Sequence, residues 1–130
     1  MTNTAKDKSI LVVEDESDIR EAMAAAVKAA GYKAYTAENG EVGLKMALAN
    51  KPDLILLDLE MPGMDGHAML EKLRDDPWGH TARVVILSAM DDVMNVAAAH
   101  EGGITDYLIK SNSSLEDLIN KIRIALHAKE

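Results

Sequence analysis

The feature that most constrains the fold is a regular alternation of short apolar runs with longer segments of helical character. The short runs are rich in leucine or β-branched residues, as strands are, and cover residues 9–14, 32–36, 53–58, 83–88 and 105–109. Residues 54–57 (LILL) are apolar at every position. Such a run is typical of a parallel strand that helices cover on both faces.

Helical periodicity is clearest near the two ends of the chain. Apolar residues recur at helical spacing at Ile19, Met23, Val27 and Ala30, and again at Leu115, Leu118, Ile119, Ile122 and Leu126. Residues 40–50, 65–75 and 91–101 have helical composition. Gly31 and the pair Gly102-Gly103 follow two of these segments, as helix C-caps do. Residues 113–116 (SSLE) predict a capping box that opens the last helix.

Strands that alternate with helices predict an α/β fold with a five-stranded parallel sheet and helices on both faces. For a chain of 130 residues we expect the flavodoxin-like strand order 2-1-3-4-5. The length fits one domain, which we assign to residues 9–128, with a short N-terminal tail at 1–8 and a C-terminal end at 129–130.

Charge and cysteine content exclude several classes of function. The net charge of −8 repels phosphate backbones, so we expect no direct nucleic-acid binding. The chain has no cysteine, which rules out disulfides and thiolate metal sites. The residues after Met1 lack an apolar signal core, and no apolar run is long enough to span a membrane. We therefore expect a cytoplasmic protein without a membrane partner.

Chemically active side chains follow four of the predicted strands. Glu14 and Asp15 end the first, Asp58 ends the third, Ser88 ends the fourth and Lys110 follows the fifth. In doubly wound sheets the functional site lies beyond the carboxyl ends of the strands. The sequence therefore predicts three acids, a hydroxyl and an amine at one edge of the sheet.

Three crowded carboxylates repel one another unless a cation lies among them. Oxygen ligands without cysteine or histidine favour a hard cation, and Mg²⁺ also accepts phosphate oxygens. A carboxylate can act as a nucleophile toward phosphorus and form an aspartyl phosphate. We therefore expect Mg²⁺ as cofactor and Asp58 as the nucleophile, with Lys110 and Ser88 contacting the phosphoryl oxygens.

Four segments together resemble the response-regulator receiver domains of two-component signalling, in particular stand-alone receivers of the chemotaxis-regulator type. The segments are ILVVED at 10–15, LILLDLEMPGMDG at 54–66, VILSA at 85–89 and DYLIK at 106–110. They occur in the order and spacing of that family and span nearly the whole chain.

The resemblance implies a role for each matching residue. Asp58 would accept a phosphoryl group from a histidine kinase or phosphotransfer protein. Asp15 would bind Mg²⁺ directly, Glu14 would act largely through water, and the backbone carbonyl of Glu60 would be a further ligand. Tyr107 would be the switch aromatic that moves inward with Ser88 when Asp58 is phosphorylated.

The resemblance also implies an output surface and a mode of action. A downstream protein would bind the fourth helix, fifth strand and fifth helix, predicted at 91–101, 105–109 and 115–126, and a homodimer through this face is known among relatives. The protein would catalyse only its own phosphorylation and dephosphorylation. In one departure from the family, Ser111 replaces the proline that usually follows Lys110. In the family the bond between the lysine and that proline is cis, and a cis bond before a non-proline residue costs about 3–4 kcal/mol.

Two other functions remain open at this point. A Mg²⁺-dependent phosphohydrolase of the haloacid-dehalogenase type uses similar groups, although its nucleophile lies in an Asp-x-Asp motif and Asp58-Leu-Glu60 lacks the second Asp. A receiver-like scaffold that is never phosphorylated is the other alternative. The chain is either a stand-alone receiver or a fragment of a longer regulator.

Overall fold

The computed structural model describes residues 8–59, 66–88, 106–109 and 114–127. The strands are β1 (Ser9–Val13), β2 (Lys33–Ala37), β3 (Leu54–Asp58), β4 (Val84–Ser88) and β5 (Asp106–Ile109). The helices in these ranges are α1 (Ser17–Ala29), α2 (Gly40–Asn50), α3 (Gly66–Arg74) and α4 (Leu115–His127), with a short 3₁₀ helix at Gly79–Thr81. The helix predicted at 91–101 and the glycine pair after it lie outside the described residues.

All the strand pairings are parallel, so the predicted α/β class with a flavodoxin-like parallel sheet is confirmed. The strands lie in the order β2-β1-β3-β4-β5. Because β1 and β3 are neighbours although they are not consecutive, the chain passes through α1, β2 and α2 between them. This crossover places the ends of β1 and β3 side by side.

Alternate residues of each strand point to opposite faces of the sheet, and the core is accordingly divided in two. One cluster joins Ile10, Val12, Leu54 and Leu56 to α1 and α4. The other cluster, which includes Leu11, Val13, Ile55 and Leu57, packs against α2 and α3. All four apolar residues of β3 are 0% exposed, which explains why that strand is apolar on both faces.

The helix ends show where local signals are reliable. Gly31 has φ 102°, the left-handed conformation expected just after α1. The side chain of Asn39 accepts a hydrogen bond from Val42 N at 2.8 Å and caps the start of α2. No described helix has both the length and the apolar character needed to cross a bilayer.

The predicted capping box at 113–116 is wrong by one residue. Asp117 N donates to Ser114 Oγ at 3.1 Å, and Ser114 N donates to Asp117 Oδ2 at 2.9 Å. The reciprocal pair is therefore Ser114 and Asp117, because α4 begins at Leu115 and so makes Ser114 its N-cap. Two adjacent serines and two adjacent acids allow either register, and burial of Leu118 and Ile122 accompanies the one observed.

Lys51 ends α2 in the left-handed conformation, with φ 48°, which costs a non-glycine residue roughly 1–2 kcal/mol. We expect Lys51→Gly to raise the free energy of unfolding by about 0.5–1 kcal/mol, after the greater unfolded-state entropy of glycine is subtracted. Urea denaturation followed by circular dichroism measures the change. The matched control Lys45→Gly, at an exposed lysine within the same helix, should lower it by about 1 kcal/mol. Equal losses in both variants would contradict the assignment of strain to Lys51.

Candidate functional site

Three carboxylates meet at the carboxyl ends of β1 and β3. Val13 pairs with Leu57 across these neighbouring strands, so the next residues, Glu14 and Asp58, emerge side by side. One carboxylate oxygen each from Glu14, Asp15 and Asp58 lies within 4.8 Å of the other two. The convergence of the acids that the strand ends predict is therefore confirmed.

Two of these acids are deeply buried. Glu14 is 0% and Asp58 is 2% exposed, and they are the only charged side chains buried in the described part of the chain. Asp15 is half-buried and gives the cluster its open side. Moving carboxylates out of water costs free energy unless charge or hydrogen bonds compensate it. Apolar side chains at these buried positions would avoid that cost, so the arrangement indicates a functional role for negative charge at this edge.

The turn between β1 and α1 is held by hydrogen bonds from several directions. Glu14 N donates to Ala37 O of β2 at 3.1 Å, and Glu16 N donates to Glu14 Oε2 at 3.2 Å. Arg20 Nη1 donates to Glu14 O at 2.9 Å and Asp15 O at 3.4 Å. Arg20 was not predicted as a site residue, because only the folded turn shows which acceptors its guanidinium reaches.

Gly66 allows α3 to begin close to the end of β3. Its amide donates to Leu59 O at 3.2 Å. A Cβ atom at this position would lie 2.5 Å from Asp58 O and 2.6 Å from Leu59 Cα, which are backbone atoms that cannot easily move. The segment at 54–66 that resembles the receiver family ends in Gly66, but the close approach of this glycine to the backbone of Asp58 was not predicted.

The remaining predicted site residues are only partly described. Asp58 pairs with Leu87, so the backbone of Ser88 lies one residue beyond it on the adjacent strand. On β5, Tyr107 pairs with Ile86. The side chains of Ser88 and Tyr107 lie outside the described atoms, as do all of Glu60, Lys110 and the bond to Ser111. Their roles stay predictions.

The donor set fits a hard divalent cation. It consists of carboxylate oxygens from Glu14, Asp15 and Asp58, with neither histidine nor cysteine among them. A cation would offset the mutual repulsion of the acids, and Asp15, which is half-buried, is the one of the three that solvent reaches. The three acids are thus a candidate metal centre that contains a buried carboxylate able to act as a nucleophile.

Comparison with known proteins gives an independent result. Residues 10–123 match the family described as the response regulator receiver domain. The response regulator PleD from Caulobacter vibrioides is 41% identical over 102 residues, which make up 78% of this chain and 22% of PleD. The phosphate regulon transcriptional regulatory protein PhoB from Pseudomonas aeruginosa is 35% identical over 119 residues, which make up 92% of this chain and 52% of PhoB.

Solved structures show the same fold. The chemotaxis protein CheY4 from Vibrio cholerae superposes with a TM-score of 0.86 at 24% identity, over 92% of this chain and 98% of that one. CheY4 thus matches over nearly its whole length, whereas this chain spans only about half of PhoB and less of PleD.

We expect Gly66→Ala to lower the free energy of unfolding by about 1–3 kcal/mol, because the added methyl group collides with the backbone of Asp58 and Leu59. Denaturant unfolding measures the loss. In the control Gly43→Ala, the new Cβ would meet Val13 Cγ atoms at 3.0 Å and Met69 Sδ at 3.1 Å. We expect these side-chain atoms to shift by a few tenths of an ångström, and alanine favours the helix, so the change should stay within about 1 kcal/mol. An unchanged Gly66→Ala variant would contradict the close-approach role.

Proposed function

Because the chain belongs to the response regulator receiver domain family, we propose that it is a signalling switch that accepts a phosphoryl group on Asp58. The observation that carries this proposal is the meeting of Glu14, Asp15 and Asp58, whose carboxylate oxygens lie within 4.8 Å of one another. Asp58 ends the central strand, so its position is held by the most deeply buried part of the sheet. The phosphoryl donor would be a histidine kinase or a phosphotransfer protein.

The proposed cofactor is Mg²⁺. Asp15 and Asp58 would bind it through their carboxylates, Glu14 largely through water, and Glu60 through its backbone carbonyl. When bound, the ion supplies positive charge beside the reacting carboxylate and the phosphoryl oxygens. The fit of an all-oxygen donor set to a hard cation supports this choice.

In the proposed reaction, an oxygen of Asp58 forms a bond to the phosphorus of the donor as the phosphorus–nitrogen bond of phosphohistidine breaks. The leaving imidazole keeps the electron pair. Phosphoryl transfer depends mainly on positioning and on neutralising charge. The Lys110 amine would provide positive charge, and the Ser88 hydroxyl would donate a hydrogen bond to a phosphoryl oxygen. The chain would act on no other substrate.

The output would be a change in the surface formed by residues 91–101, β5 and α4. The phosphoryl group adds about −1.5 to −2 charge, which favours the state in which Ser88 and Lys110 move inward. Tyr107 would follow Ser88, and a downstream protein would distinguish the two states. As part of the proposal, the switch acts in the cytoplasm, where kinases have ATP. It would contact neither membrane nor nucleic acid directly, and any homodimer would form through the output surface.

Phosphorylation can be tested by intact-mass analysis after incubation with acetyl phosphate and Mg²⁺. We expect the wild type to gain the mass of one phosphoryl group and Asp58→Ala to gain none, because the acceptor carboxylate is gone. The control Asp75→Ala, at an exposed acid just after α3, should gain the same mass as the wild type.

Other outcomes of this experiment would contradict the switch. If Asp58→Ala is modified as fully as the wild type, Asp58 is not the acceptor. Wild-type protein that is not modified at Asp58 by any phosphodonor would instead favour a scaffold. Sustained, Asp58-dependent hydrolysis of a phosphate ester would favour a phosphohydrolase.

Metal binding can be tested separately through thermal unfolding in Mg²⁺ and in EDTA. A ligand that binds only the folded state at about ten times its Kd stabilises that state by about 1.4 kcal/mol. We expect this gain in the wild type and a much smaller one in Asp15→Asn, which loses a charged ligand. Asp75→Asn is the control and should keep the full gain. Equal stabilisation of all three proteins would rule out a metal site at Asp15.

A further inference from the structure

The first helix carries a positive charge at a position where helix electrostatics disfavour it. Arg20 is the fourth residue of α1, near the end of the helix where unpaired N–H groups and the macrodipole are positive. The N-cap residue, Glu16, makes no side-chain capping hydrogen bond. Local helix preferences therefore do not explain the arginine, and its contacts outside the helix do.

Those contacts are with two of the three residues that carry the carboxylates of the candidate metal site. Arg20 Nη1 lies 2.9 Å from Glu14 O and 3.4 Å from Asp15 O. Both carbonyls precede the N-cap, so neither accepts a bond from the first helical turn. The guanidinium therefore binds the outer side of the turn, while the carboxylates of the same two residues converge on Asp58.

These bonds restrict the orientation of Asp15. The carbonyl of Glu14 belongs to the peptide plane before the Asp15 Cα atom, and the carbonyl of Asp15 belongs to the plane after it. Peptide groups are planar, so holding both oxygens restricts the two dihedral angles between the planes. Glu16 N, in the second plane, also donates to Glu14 Oε2 at 3.2 Å. The direction of the Asp15 side chain follows from these constraints.

We propose that Arg20 is a positioning residue for the metal centre, holding the turn after β1 so that Glu14 and Asp15 face Asp58. The metal-binding part of this inference rests on the proposed function, whereas the positioning of the turn exists in the metal-free protein. Arg20 itself does not contact the metal or the phosphoryl group.

The sign of the effect on Mg²⁺ binding separates positioning from a simple charge effect. A positive charge near the site repels the cation, so a substitution that only removed this charge would tighten Mg²⁺ binding. A substitution that loosens the turn would weaken it. Outer-shell partners of metal ligands typically contribute tenfold to a hundredfold in affinity. We therefore expect Arg20→Met to weaken Mg²⁺ binding by about tenfold or more, and Arg20→Lys, which keeps a donor and the charge, to recover part of the loss.

Arg74 offers a matched control at the opposite ends of the strands, where β4 begins. Its Nη1 donates to Gly79 O at 2.6 Å and Ala82 O at 2.8 Å, so it also binds backbone carbonyls of a turn. That turn precedes β4, whereas the acids follow β1 and β3. Arg74→Met should lower the free energy of unfolding but leave the Mg²⁺ affinity unchanged.

The experiment measures the Mg²⁺ Kd of the wild type and the three variants by calorimetry, and the backbone amide resonances and order parameters of residues 14–16 by NMR in EDTA. We expect Arg20→Met to shift and mobilise these amides without metal, and Arg74→Met to leave them unchanged. Unchanged amides together with equal or tighter Mg²⁺ binding in Arg20→Met would overturn the inference. If the wild type binds no Mg²⁺, the proposed metal site fails, and the metal-free amides still decide whether Arg20 positions the turn.

Discussion

The pairing of β1 with β3 is the interaction on which the rest of the site depends. Its register sets Val13 opposite Leu57, and both residues are completely buried. A slip of one residue would move every side chain of a strand to the other face of the sheet, so burial on both faces strongly disfavours it. The same register brings Glu14 and Asp58 out of the sheet together. The apolar core therefore determines where the charged groups meet.

The surrounding structure holds the acids together despite the free energy that their burial costs. Glu14 and Asp58 are buried carboxylates close to a third acid, an arrangement that does not favour folding by itself. The surrounding backbone holds it nonetheless. Gly66 lets α3 start against the end of β3, and Arg20 binds the carbonyls of the turn after β1. The stable centre of the sheet thus holds the three carboxylates close together. Binding of a cation would reduce the repulsion among them.

Most of the elements were predicted from the sequence because their signals are local. The continuous apolar run of β3, the helical stripe of α4 and the glycine after α1 each depend on residues a few positions apart. The capping box was predicted one residue early because Ser113 and Ser114 are equivalent in local sequence. The folded structure shows the reciprocal bonds between Ser114 and Asp117, which local sequence does not distinguish from a pair at Ser113 and Glu116. Gly66 and Arg20 were missed because the conformation of a turn decides which backbone atoms they approach.

The class of fold and the acids at the strand ends can be read from the amino-acid sequence alone, since hydrophobic periodicity and strand order follow from short-range patterns and from the rules of parallel sheets. Three features became known only from the folded structure: the separation of the carboxylates, the approach of Gly66 to Asp58 and the bonds from Arg20. The separation of the carboxylates depends on the register of strands that are distant in the chain, and the other two features depend on how the turns after β1 and β3 fold. A linear pattern carries no distances between such segments, because packing sets them only when the chain has folded.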